Sequence, residues 1–207
     1  MFNESYPHMK FPLWVPRPAN ETLDIYAEWA MTYDADLTAA GYESPRRVAE
    51  AIRKFSTPDT TILDFGCGTG LSGLALQAVG FKHIDGVEIS PKMLALAKQR
   101  DAYNSVWQGK LGEITDVKRG QYQVIIAAGV ISLGAAPPET LNLIIDHLDK
   151  GGMAGFSFND PTVEDGSYDA ILNSEILDRR VKVIFRENGP HLSERNMGSD
   201  IIVLKRL

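Results

Sequence analysis

The chain predicts an α/β fold in which a doubly wound, mostly parallel sheet is covered by helices and ends in an antiparallel hairpin. Three observations lead there. Strand-type runs at residues 61–65 (TILDF), 83–88 (HIDGVE) and 153–158 (MAGFSF) alternate with segments of helical period, an order that calls for parallel strands joined by crossover helices. Residues 122–127 (YQVIIA) are apolar almost throughout, as in a strand buried on both faces. Finally, residues 181–186 and 201–205 read as strands with no helix between them, and neighbours of that kind run antiparallel.

The elements follow in order. Pro7, Pro12, Pro16 and Pro18 stand among Phe2, Tyr6, Phe11 and Trp14, which favours extended, non-helical backbone. Asn20 is a capping residue, and Tyr26, Trp29, Ala30, Tyr33 and Leu37 recur at helical spacing, so one helix is expected up to Gly41. Ser44-Pro45 opens a second, with Val48, Ile52 and Phe55 on one face. Residues 1–57 are thus expected as an N-terminal extended segment and lid helices, and residues 58–207 as the sheet core of the same single domain. Within that core, helices are expected at 71–79, stopped by Gly80, from Ser90-Pro91 with Met93, Leu94 and Ala97 inward, at 138–148 and at 168–177. A short strand is expected at 105–108. The polar stretch holding Gly189-Pro190 and Gly198 reads as the connection between the last two strands.

Composition narrows the function. With 207 residues, 44% hydrophobic and 23% charged, the chain suits one globular core without staples. Cys67 is the only cysteine, and it forms no zinc-ligand spacing with His8, His83, His147 and His191, so no metal is expected. Twenty-one basic against 27 acidic residues give a net charge of -6, which argues against nucleic acid as a partner. No apolar run approaches the roughly 20 residues of a spanning helix, and residues 1–10 lack the order of a signal peptide. The expectation is a cytoplasmic protein with no membrane partner.

The chemistry concentrates in LDFGCGTG, residues 63–70. A strand ends at Asp64-Phe65, and Gly66, Gly68 and Gly70 remove Cβ atoms where backbone must turn and approach a ligand. Eighteen residues beyond Gly70, Glu88 ends the next strand, where a carboxylate accepts from both ribose hydroxyls. Together they point to an adenosine-type cofactor. Gly68, Gly70 and Gly73 also satisfy a dinucleotide fingerprint, but Asp64 would repel a pyrophosphate. S-adenosylmethionine has no phosphate and carries a cationic amine and sulfonium, so Asp64 suits its methionine end.

These residues, with GVEISPKML following, resemble the class I S-adenosylmethionine-dependent methyltransferases over residues 26–158 and, by hairpin topology, to the C-terminus. More narrowly, Tyr26, Trp29, Ala30, Tyr33 and Asp34 upstream, with GVISLGAAPPETL and the Gly151-Gly152-Met153 turn downstream, are similar to the family of the Williams-Beuren syndrome region methyltransferase-like protein and its bacterial relatives. The resemblance implies a Rossmann-like sheet of seven strands with the last antiparallel. It assigns Gly66, Gly68 and Gly70 to the cofactor loop with Cys67 as a small filler, Asp64 to the methionine side, Glu88 to the ribose and Ile89 to the adenine. The family often has an acidic residue near the end of the third strand to receive the adenine amine. Here the run is Gln108-Gly109-Lys110-Leu111, so backbone at Lys110 and Leu111, or a shifted residue, must serve. Gly129 ends the fourth strand beside the same site. The upstream helix becomes a lid, from which the Tyr33 hydroxyl reaches the methionine carboxylate while Trp29 packs.

Topology places His83 and His147 on the face opposite the ligand. Tyr26, Asn159 and His191 are candidates for substrate contact, His191 because it sits in the last connection on the ligand face. Ala127-Ala128-Gly129-Val130 supplies neither the polar-Pro-Pro-aromatic group of base amino-methylation nor a magnesium-binding Asp. The expected activity is methyl transfer to a small molecule by in-line displacement, with no catalytic base assigned. Rival readings are a nicotinamide-dependent oxidoreductase and a non-catalytic cofactor-binding module.

Overall fold

The computed structural model describes residues 13–207, so the readings at Phe2, Tyr6, Pro7, His8, Phe11 and Pro12 lie outside the described residues. Strand β1 (Thr61–Phe65) lies mid-sheet, parallel to β2 (His83–Glu88) and β4 (Val124–Ala127). Beyond them β3 (Ser105–Gln108) and β5 (Met153–Asn159) continue the parallel order. Strand β6 (Val181–Leu192) forms the edge, and β7 (Met197–Arg206) runs antiparallel between β5 and β6. The seven-stranded order is β3-β2-β1-β4-β5-β7-β6, as the doubly wound reading with a reversed last strand expects.

Successive residues on the central strands serve opposite faces, as a pleated strand requires. Ile62, Val124, Ile126, Ile201 and Val203 meet Val48 and Ile52 of α3 (Ser44–Arg53) and Leu76 of α4 (Leu71–Ala78). Leu63, Ile125, Phe156, Ile202 and Leu204 meet Leu141 and Ile144 of α6 (Thr140–His147) and Leu172 of α8 (Ser167–Leu177). On the first of these faces a close approach requires glycine, because a Cβ at Gly155 would enter the Ile52 side chain.

Four details differ from the sequence expectation. The helix expected from Asn20 to Gly41 is two, α1 (Ala19–Trp29) and α2 (Tyr33–Ala39). Thr32 N donates to Trp29 O at 3.0 Å in the turn between them, and Asp34 and Asp36 give α2 the acidic first turn of a fresh N-terminus. The break lets Trp29 Nε1 donate to Asp36 Oδ2 at 2.7 Å and sets the Trp29 and Tyr33 rings edge to face. Phe55 lies past the end of α3 and rests on Phe185 at the surface. Residues 160–165, where no element was expected, form α7 (Asp160–Asp165), capped by Asn159. The last connection is short, since Gly189 and Pro190 are inside β6, opposite Ser199 and Gly198. An edge strand tolerates the missing proline donor.

Between β2 and β3, α5 (Pro91–Ala97) is followed by Tyr103, whose hydroxyl accepts from Gly73 N at 3.1 Å and donates to Asp64 Oδ2 at 2.8 Å. A Cβ at Gly73 would run into the Tyr103 ring. Gly73→Ala is therefore expected to lose about 1–3 kcal/mol of unfolding free energy in urea titration.

Candidate active site

The glycine loop begins where β1 stops. Gly66 N and Cys67 N donate to Val87 O at 2.8 and 3.1 Å, which folds the loop back onto β2. Gly66 and Gly68 have φ of +72° and +55° and line a cavity of about 770 Å³, counted out to the solvent at its mouth. Gly70, at φ +96°, opens α4 and abuts Arg100 and Tyr103 outside the cavity lining, so its role is the turn. Cys67 is buried beneath the loop, where burial pushes its thiol up and leaves it an inert filler.

Two carboxylates belong to this loop. Glu88 is 8% exposed and lines the cavity, with Oε2 accepting from Gly68 N at 3.0 Å and Oε1 from Ser90 N at 2.7 Å. Burial raises its pKa, and these amides oppose the rise by favouring the charged form. Asp64 is wholly buried behind the loop. Its Oδ2 accepts from Ser72 Oγ at 2.5 Å and from Tyr103 Oη, while Oδ1 has no partner among the described residues. Desolvation pushes its pKa up to about 6, against the hydrogen bonds from Ser72 and Tyr103.

Helix α1 roofs the cavity with Ala19, Thr22, Leu23 and Tyr26, one face at spacing i, i+3, i+4, i+7. The sequence reading took only the aromatic stripe here, although this periodicity was present. Thr22 Oγ1 donates to Gly134 O at 3.1 Å and ties the roof to the loop after β4. Asp34 ties α2 down, accepting from Thr69 Oγ1 at 2.5 Å and pairing with Arg100. Ile89, Met93 and Leu111 line the far end, Leu111 at the mouth with 57% exposure. Lys110 is not brought in: it is exposed, and Thr115 Oγ1 accepts from its N–H at 2.9 Å.

A second cavity of about 470 Å³ adjoins the first and shares Tyr26, Tyr33, Gly129 and Ala135 with it. Trp14, Trp29, Leu37, Leu133 and Leu192 give it aromatic and aliphatic walls, into which Tyr42, Ser132, Asn159 and His191 bring polar groups. The Tyr42 hydroxyl sits where a Cβ of Gly129 would be, so Gly129, at φ +72°, is the point at which the two spaces meet. Asn159 and His191 line it. His191 is not in an exposed connection but buried in β6, with burial and then Arg47 lowering its pKa to about 4. The side-chain Oδ1 of Asn159 accepts from Thr162 N and Thr162 Oγ1, capping α7.

Residues 56–189 match the family described as methyltransferase domain, more than half of the chain. The chain belongs to that family. Human methyltransferase-like protein 27 is 32% identical over 136 residues, 64% of this chain and 55% of that protein. The ribosomal protein L11 methyltransferase of Clostridium perfringens is 27% identical over 119 residues, 56% of this chain and 37% of that protein. The chain thus matches about half or less of each relative's length. The magnesium protoporphyrin IX methyltransferase of Synechocystis PCC 6803, solved with bound SAH, shares the fold at 18% identity and a TM-score of 0.57, covering 78% of this chain and 83% of that one. As a methyltransferase domain, the chain has the expected seven-stranded sheet with β7 reversed.

The elevated Asp64 pKa carries a pH signature. A folded pKa of about 6, above the unfolded value of 3.8, gives a stabilising contribution that is full below the unfolded pKa and lost as pH rises through 6. Unfolding free energy measured in urea from pH 4 to 7.5 should fall by about 2 kcal/mol less in Asp64→Asn than in the wild type.

Proposed function

We propose that this methyltransferase domain moves a methyl group from S-adenosylmethionine, held under the glycine loop, to a small molecule in the second cavity. The observation that carries the reading is the junction of the two cavities at Tyr26, Tyr33, Gly129 and Ala135. A donor in one and an acceptor in the other lie side by side, and alignment supplies much of the rate of a displacement.

The residues fit the cofactor. Glu88, fixed by two backbone amides, has lone pairs left for the ribose hydroxyls. Ile89, Met93 and Leu111 flank the adenine. Gly66 and Gly68 let backbone approach the ligand, and the unpartnered Oδ1 of Asp64 places negative charge behind the methionine end. Tyr33 lines the same cavity, and its hydroxyl is assigned to that end from the lid side. Gly70 and Cys67 shape the loop without contact, and Lys110 takes no part. When bound, the sulfonium supplies an electrophilic methyl group. The α1–α2 roof excludes water from the junction, and the aromatic walls hold the acceptor.

A small acceptor suits a cavity of about 470 Å³ that Trp29, Tyr33 and Leu37 help to wall. An acidic chain also disfavours nucleic acid. The nicotinamide reading loses support from Gly73, which packs beneath Tyr103 instead of facing the cavity.

Calorimetric titration with S-adenosylmethionine, S-adenosylhomocysteine and NADH tests the donor. Micromolar binding of both sulfur compounds without NADH heat is expected, and Glu88→Ala should weaken S-adenosylhomocysteine at least tenfold while unfolding stays cooperative. NADH binding alone would replace this reading with the oxidoreductase. The lid is tested separately by limited proteolysis at the turn carrying Met31, which is 84% exposed. Cofactor should slow the cleavage, and an unchanged rate would remove the lid from the mechanism.

A further inference from the structure

Behind the acceptor cavity a chain of buried polar groups runs from α3 through β7 to β6. Arg47 is buried beneath the hairpin, and its NH1 donates to Ser199 O at 2.9 Å, Ser199 Oγ at 3.1 Å and Pro190 O at 3.1 Å. Its NH2 donates to Glu187 O at 3.0 Å. Ser199 Oγ lies 3.2 Å from Ser44 Oγ, which lies 2.7 Å from His191 Nδ1. Ser44 and Ser199 are fully buried.

The direction of this chain is set at its start. A guanidinium has donors and no acceptor, so Ser199 Oγ accepts from Arg47. Among the described residues the Ser199 proton then has one recipient, Ser44 Oγ. Ser44 Oγ accepts it and donates in turn to His191 Nδ1. The reverse order would strand the Ser199 proton in a fully buried hydroxyl, which is costly. His191 Nδ1 is therefore the acceptor, and in a neutral ring the proton sits on Nε2. The ring is neutral because burial and the Arg47 charge hold its pKa at about 4.

Two further contacts fix the ring. Tyr42 meets it edge to face at 5.2 Å, and Glu43 N donates to His191 O at 2.9 Å, fastening β6 to the start of α3. With Nδ1 turned to Ser44, Nε2 has no hydrogen-bond partner among the described residues, and His191 lines the acceptor cavity. Among the described residues no Asp, Glu, Lys or Arg lines that cavity.

Building on the acceptor role given to this cavity, we propose that His191 is its specificity-determining residue, a neutral N–H donor set by the Arg47–Ser199–Ser44 chain that selects uncharged, planar molecules presenting a carbonyl-type oxygen. His191 thus binds the acceptor and does not remove its proton through Nε2.

Long-range 1H–15N correlation spectra of the full chain at pH 7 read the tautomer directly, the His191 signals being those lost in His191→Gln. The expected pattern has a protonated Nε2 and a bare Nδ1, with Ser44→Ala mixing the tautomers. A protonated Nδ1 in the wild type overturns the proposal. Two probes of matched size, acetophenone and ethylbenzene, are then titrated into the protein saturated with S-adenosylhomocysteine. Acetophenone should shift Nε2 and bind at least fivefold more tightly, with the preference lost in His191→Gln while S-adenosylhomocysteine affinity stays within twofold. Equal binding of the probes, or binding of neither, overturns the selection. Failure of S-adenosylhomocysteine to bind would instead sink the methyl-transfer reading and leave the tautomer result standing.

Discussion

Where β1 runs out, the backbone turns onto its neighbour: Gly66 and Cys67 bond to Val87 O, and one residue later Gly68 bonds to the Glu88 carboxylate. Everything else at the site is hung from this stitch between two parallel strand ends. Pinning Glu88 between Gly68 and Ser90 prices a buried charge into the fold, and donor amides make that charge tolerable. Asp64 behind the loop and Thr69 within it take their positions from the same turn, and through Asp34 so does α2.

The two polar interiors of the molecule are built on different terms. Around Asp64, a carboxylate is buried with two hydroxyl donors and one idle oxygen, so its ionisation is weakly supported and titrates near neutrality. Around His191, a guanidinium supplies permanent charge at the far end of a hydroxyl chain, and the imidazole at the near end stays neutral. The first leaves negative charge available to a cationic ligand. The second orients a ring without charging it.

Much of this was legible in the residues. TILDF followed by three spaced glycines and then HIDGVE fixes a strand, a turn and a carboxylate at the next strand end, because local sterics leave little choice there. The hairpin followed from the missing crossover. What escaped depends on contacts between distant segments. Gly189-Pro190 carries a strong turn signal, yet pairing with β7 at the sheet edge and the Arg47 bond to Pro190 O hold it extended. The same extension buries His191, which no local pattern announces. The break after Trp29 depends on Asp36 meeting the indole and Asp34 meeting Thr69 and Arg100. Lys110 was drawn in by its place after β3, but Thr115 holds the backbone there and its side chain turns to solvent.

The Asp34 contacts couple two segments. One carboxylate joins α2 to Thr69 of the glycine loop and to Arg100 after α5, so the free energies of ordering α2 and the loop are shared. Whatever firms the loop also holds down Tyr33, which walls both cavities. A ligand that orders the glycine loop therefore also steadies a wall that the two cavities share.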